Sequence, residues 1–195
     1  EDRSTVKKIE QYICHLLQKD VNVFYDRQHF TGPVFDGLEI YKGTGIIVKI
    51  HDFFKVGETD PHNHSKSFYS VMLKGQYVQS VFQLVDDESQ NDSEIFVTHR
   101  KETAVTNQTE LSQPAPLKNK KLKRLLSHDH QEGNAYLIDA ETIHTVDLAE
   151  ADEPKVVTLV IQGVETLDET KVYKDNDSPV ETFTNRRKLP LSSDF

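Results

Sequence analysis

Eight short β-rich runs follow one another between Leu38 and Ile161: Leu38–Tyr41, Gly45–Phe54, Phe68–Leu73, Tyr77–Leu84, Ile95–His99, Ala135–Ile138, Thr142–Val146 and Val156–Ile161. Gly, Asp, Asn and Pro break them, and no helical period of useful length comes between them. Such spacing reads as an antiparallel sandwich or barrel. There is no GxGxxG after a strand, no Walker loop and no GxSxG elbow, so the usual nucleotide and hydrolase signatures are absent.

Outside this region the texture differs. Val6, Ile9, Ile13, Leu16 and Leu17 recur at helical spacing, which predicts a helix over 4–19 with Ser4 or Thr5 as N-cap. Within it, Cys14 reads as a packing residue and His15 as a surface one. Cys14 is the single cysteine of the 195-residue chain, so neither an internal disulfide nor a thiolate metal cluster is available. One thiol fits a reducing compartment, and the cytoplasm is the expected location. Residues 86–132 form a polar intermission, in which the basic run Lys118–Arg124 reads as a solvated loop or short helix. Residues 164–195 form a polar extension able to add edge strands or wrap the barrel. A formal charge of −9 repels phosphate backbones, so no nucleic-acid surface is expected. No apolar run approaches the about eighteen residues that span a bilayer, so no membrane span is expected.

The chain has nine histidines, and their placement points to chemistry. His62 and His64 stand two apart in an extended segment, so both project to one face and can grip one metal. His144 is the best third ligand, because a strand–turn–strand reading at Ala135–Val146 returns it to the barrel mouth. Three facial ligands leave open positions opposite. Asp139 and Glu141 read as turn residues. A second pair, His128 and His130, reads as loop. His51 and Lys49 share a strand face that either lines the barrel or meets solvent. His29 and His99 are expected at the surface.

These segments resemble the paired motifs of the cupin superfamily. The first motif runs His62-x-His64, three residues, Phe68, six residues, Gly75; the second runs Gly133, five residues, Asp139, x, Glu141, two residues, His144. The resemblance covers about 38–163. It implies a single all-β domain: a cupin double-stranded β-helix, jelly-roll-like, with a short N-terminal α-helix. Phe68 stands where such motifs usually carry a glutamate, so the implied metal set is His62, His64 and His144 alone.

An all-histidine site resembles that of the cysteine dioxygenase and thiol dioxygenase family. The Leu73–Gly75 turn and the Thr158–Ile161 strand add to the likeness. The resemblance implies a mononuclear non-haem Fe(II) dioxygenase acting on a small anionic substrate with O2; Ni, Mn, Cu(II) or Zn also suit nitrogen ligands. Substrate contacts are expected from Tyr41, Lys42, Phe68, Tyr69, Met72, Thr158, Val160 and Gln162, with Tyr77 near the mouth. Thr158, Val160 and Gln162 stand where that family has Ser, His and Tyr, and its cross-linking cysteine would fall near Phe68. A substrate other than free cysteine is therefore in play, including an enolate. Two further readings stay open: a Lewis-acid isomerase or lyase, and a ligand-binding barrel without turnover. Cupins often pair by strand exchange, which makes a homodimer compatible with this reading.

Overall fold

The computed structural model describes residues 29–31, 34–53, 56–87, 95–102, 109–148 and 156–174. The helix expected at 4–19, with Cys14 and His15, lies outside them. The described residues form fourteen strands and no helix. In chain order these are β1 (His29–Thr31), β2 (Phe35–Gly43), β3 (Ile46–Phe53), β4 (Gly57–Glu58), β5 (Lys66–Lys74), β6 (Gln76–Asp86) and β7 (Ile95–Glu102). Then come β8 (Thr109–Leu111), β9 (Ala115–Leu117), β10 (Lys120–Gln131), β11 (Ala135–Ile138), β12 (Ile143–Leu148), β13 (Val156–Glu165) and β14 (Thr170–Lys174).

A first sheet has the order β1-β2-β3-β13-β5-β11. Facing it are two four-stranded pieces, β10-β6-β12-β4 and β14-β7-β8, with β9 also paired to β7. From β3 to β6 the chain passes alternately between the first sheet and its partner, and it does so again from β11 to β14. All pairings are antiparallel. This is the jelly-roll-like all-β barrel that the motif resemblance implies.

Two motif glycines make the passages between sheets. Gly75, at φ 78°, turns β5 into β6, and Gly133, at φ 88°, turns β10 toward β11. Positive φ strains any residue with a Cβ, so glycine fits both turns.

Period-two alternation then decides what faces inward. Cross-strand pairing sets Met72 opposite Thr158, Ser70 opposite Val160 and Phe68 opposite Gln162. Phe53, Met72 and Val156 from the first sheet meet Tyr77, Val146 and Leu148 from the second in one core cluster. Met72 is 0% exposed. The opposite face of the first sheet carries a second aliphatic cluster built on Ile40, Val71, Leu73 and Leu159.

The basic run departs from its expected form. Lys118–Asn119 is a turn, and from Lys120 the chain is strand β10, paired along β6 from Asp86 to Gln76. His128 and His130 therefore lie on a strand, not in a loop. β10 is an edge strand and is exposed at most positions, so it shows no apolar alternation for pattern reading to detect. Its lysines instead meet the acidic end of β6 and the residue beyond it. Lys120 Nζ lies 2.6 Å from Asp86 and Lys121 Nζ 3.0 Å from Asp87. Charge along an open edge also discourages pairing with other chains.

The face assignment predicts unequal costs for two truncations. Met72→Ala should lower unfolding free energy by about 2–5 kcal/mol. Leu137→Ala, at a site 64% exposed on β11, should change it by no more than about 0.5 kcal/mol. Urea unfolding of both variants checks this, and equal costs would refute the register.

Candidate metal centre

The HxH segment is held as an extended strand in the gap between β12 and β14. His62 N–H donates to the His144 carbonyl at 3.0 Å, and His144 N–H returns to the His62 carbonyl at 2.9 Å. On its other side, Tyr173 N–H reaches the Pro61 carbonyl at 2.8 Å, and Asn63 N–H reaches Lys171 at 3.0 Å. The middle residue of the motif is structural: Asn63 is buried, and its Oδ1 accepts from Lys171 N–H at 2.6 Å. His64 N–H donates to the Ala140 carbonyl at 3.0 Å. That bond ties the segment to the Asp139–Thr142 turn, which closes through Thr142 N–H to the Asp139 carbonyl at 3.0 Å. Asp139 and Glu141 thus serve the turn.

Directly paired residues in antiparallel strands share a face, so the His62–His144 pair aims both rings inward. Alternation across Asn63 adds His64. The ring centroids lie 4.8 Å apart for His62–His64, 4.8 Å for His62–His144 and 5.1 Å for His64–His144. One nitrogen from each lies within 4.8 Å of the others, a grouping that could hold a metal ion. His62 Nδ1–H donates to the Asp60 carbonyl at 2.7 Å, which puts the ring's lone pair on Nε2. His64 Nε2 and His144 Nε2 are 2.9 Å apart. Among the described residues no carboxylate joins the group, as Phe68 in the usual glutamate place implies. Phe68 instead sets its ring edge-on to His64, with centroids 4.8 Å apart.

Neutral imidazoles are what a metal requires. Burial, then the neighbouring His62, holds His144 well below the ordinary histidine pKa, so it is neutral at pH 7. Behind it lies a buried polar line. Gln79 Nε2 is 3.0 Å from His144 Nδ1, and Gln79 Oε1 is 3.0 Å from His130 Nε2. Burial also lowers the His130 pKa, with His128 adding to it. The His130 ring packs on Tyr136 at 4.1 Å between centroids. Tyr136 and Tyr77 join through their hydroxyls, and burial raises the pKa of both. Sequence reading missed Gln79, His130 and Tyr136. Only the parity of Gln79 with Tyr77 in one strand, and their pairing to β10, could have signalled them.

The residues expected to touch substrate divide between two faces. Phe68, Met72, Thr158, Val160 and Gln162 share the inward face of β5 and β13. Val160 packs with Phe68 and Ile138, so this stretch of wall is apolar. Tyr69 pairs with Leu137 and Ile161 on the outward face and is 43% exposed. A bulge between Glu39 and Tyr41 sets Tyr41 opposite Val48 on that face, at 52% exposure. The same bulge sets Lys42 opposite Ile47, on the face of Lys49, where it is exposed at the strand end. Lys49, on the inward face of β3, pairs with Val160 and with the buried Glu39. His51 shares its face, opposite Thr158, and stacks on Phe35 at 4.5 Å. The Lys49–His51 face therefore lines the barrel. His99 bonds to Glu169, and His29 opens β1.

No family model and no curated protein matches the chain. Solved structures do. A cupin superfamily protein from Desulfitobacterium hafniense is 8% identical, with 69% of this chain and 82% of that one covered, at a TM-score of 0.37. A hydroquinone 1,2-dioxygenase from Sphingomonas sp. TTNP3 is 9% identical, with 67% and 65% covered, at 0.36. Vicilin from Corylus avellana (hazelnut) is 10% identical, with 73% and 32% covered, at 0.45. This chain spans about a third of the vicilin. None of the three is a thiol dioxygenase. TM-scores below 0.5 mark distant likenesses, and the reading of the site rests on its own residues. Among the described residues no helix is long and apolar enough to cross a membrane.

The barrel lining makes a prediction about acid. Burial, then Lys49, lowers the His51 pKa from 6.5 to about 3. Between those values the unfolded chain binds a proton that the folded protein does not, so stability falls as pH drops through that window. In metal-free protein, the loss of Tm between pH 7 and pH 4.5 should be smaller for His51→Gln than for the unaltered chain. An equal loss would show that His51 is not a source of the acid sensitivity.

Proposed function

We propose that His62, His64 and His144 hold one divalent metal, Fe(II) by preference, and that the protein is a dioxygenase acting on a small anionic substrate. The convergence of three imidazoles without a carboxylate carries this reading. A metal so held keeps its full positive charge, which favours an anionic chelating substrate and leaves positions for O2 beside it. The chain's own part is positioning. The Asp60 carbonyl fixes the His62 ring, and the backbone pair with His62 fixes His144. Phe68, Val160 and Ile138 exclude water from the adjoining wall, which strengthens charge interactions at the centre.

The lining narrows the substrate. Neither Thr158, Val160 nor Gln162 supplies the histidine and tyrosine that thiol dioxygenases carry at those positions. Tyr41 stands on the outward face and Lys42 is exposed at the end of β2, so a carboxylate would look to Lys49, whose strand partner is Glu39. An apolar wall with the phenols of Tyr77 and Tyr136 suits a larger thiolate or an enolate better than free cysteine.

Metal content of anaerobically purified protein, followed by oxygen uptake with small thiols and β-diketones, tests the proposal. Stoichiometric iron with substrate-dependent uptake is expected. His64→Ala should lose most of the metal while far-UV circular dichroism stays the same. Full metal retention in that variant would refute the ligand set. Metal without uptake on either panel would refute the dioxygenase reading and favour Lewis-acid chemistry.

A further inference from the structure

We infer that Gln79 is the positioning residue of His144, and that its side-chain amide turns over when a metal binds. The inference rests on the metal reading above and adds a directional hydrogen-bond line running from His64 through His144 and Gln79 to His130.

Donor and acceptor roles along that line follow from the orientation of the Gln79 amide. Gln79 Nε2 faces His144 Nδ1 at 3.0 Å. An amide nitrogen only donates, so Nδ1 is the acceptor and the His144 proton sits on Nε2. From there it is donated to His64 Nε2, 2.9 Å away. At the far end Gln79 Oε1 only accepts, so His130 Nε2, at 3.0 Å, carries the proton of that ring. Every bond in the line points consistently.

Metal ligation by His144 Nε2 needs that nitrogen's lone pair. The proton then belongs on Nδ1, where it meets the amide nitrogen of Gln79 donor to donor. Gln79 and His144 are each about 4% exposed or less, so an unmade bond there is costly and water has little access to relieve it. Rotation of the amide by half a turn resolves the clash: Oε1 accepts from His144 Nδ1–H, and Nε2 turns to His130. His130 Nε2 must then accept, so its proton moves to Nδ1. Both imidazoles stay neutral throughout. One proton relocates on each ring, and the charge of the line does not change. His130 is held for this exchange between the rings of Tyr136 and Tyr77, at 4.1 and 5.7 Å.

The test uses Zn(II) as a redox-silent probe and reads tautomers by long-range proton–nitrogen correlation on 15N-histidine protein. Metal-free protein should show His144 and His130 protonated on Nε2; Zn-loaded protein should show both on Nδ1. His130 remaining on Nε2 after loading would overturn the inference. Gln79→Leu should weaken Zn(II) binding about 10- to 100-fold, whereas Gln79→Glu, which keeps an acceptor toward Nδ1, should stay within about threefold of the unaltered protein. Unchanged affinity in Gln79→Leu would also overturn it. Failure of the unaltered protein to bind Zn(II), Fe(II) or Ni(II) would instead remove the metal reading on which the line depends.

Discussion

The backbone pair between His62 and His144 is the joint on which the barrel turns. With the bridge from His62 to Val172 it closes the gap between β12 and β14, so one sheet continues through the HxH segment. The same two bonds aim both imidazoles inward. Fold closure and site geometry therefore have a common cause. A chain that failed to seat 58–63 between β12 and β14 would lose the second sheet's continuity along with the histidine cluster. The motif is small because its neighbours supply its rigidity: Asn63 is anchored on Lys171, His64 on Ala140, and Ala140 N–H in turn on Ser67 Oγ at 3.0 Å.

That dependence explains what the sequence revealed. Strands buried on one face at least, such as Lys66–Lys74 and Val156–Glu165, carry runs of β-branched and apolar residues that announce themselves. The glycines at 75 and 133 sit where positive φ is needed, and their spacing from the histidines is a distance measured along strands. The three histidines were legible for the same reason: alternation and turn length convert sequence offsets into a shared face.

What stayed hidden was set by partners distant in sequence. β10 has one exposed face and charged residues, so nothing in its own composition separates it from a loop. It becomes a strand because β6 offers an edge and because Asp86 and Asp87 meet its lysines. Tyr41 is displaced to the outward face by a bulge, which shifts every later residue of β2 by one and turns Lys42 to the face of Lys49. Tyr69 follows simple parity and could have been assigned outward from Phe68 alone. Gln79 is ordinary in sequence, and only the approach of β10 to one side and β12 to the other makes it a link between two histidines.

A glutamine in that place has a consequence a carboxylate would not have. A carboxylate beside His144 Nδ1 accepts with either oxygen, so it would hold the metal-ready tautomer whether or not metal was present. An amide has one donor end and one acceptor end, and its preference depends on what each neighbour carries. The line from His64 to His130 is therefore self-consistent in two directions, one suited to the metal-free rings and one to ligation. It keeps the imidazoles of His144 and His130 uncharged in both. Neutral rings matter in this barrel because Phe68 packs against His64 and joins Val160 and Ile138 in an apolar wall beside the centre, where an added charge is expensive. The polar line thus lets a buried site accept a cation without leaving an unsatisfied donor or a stray anion behind when the cation is gone.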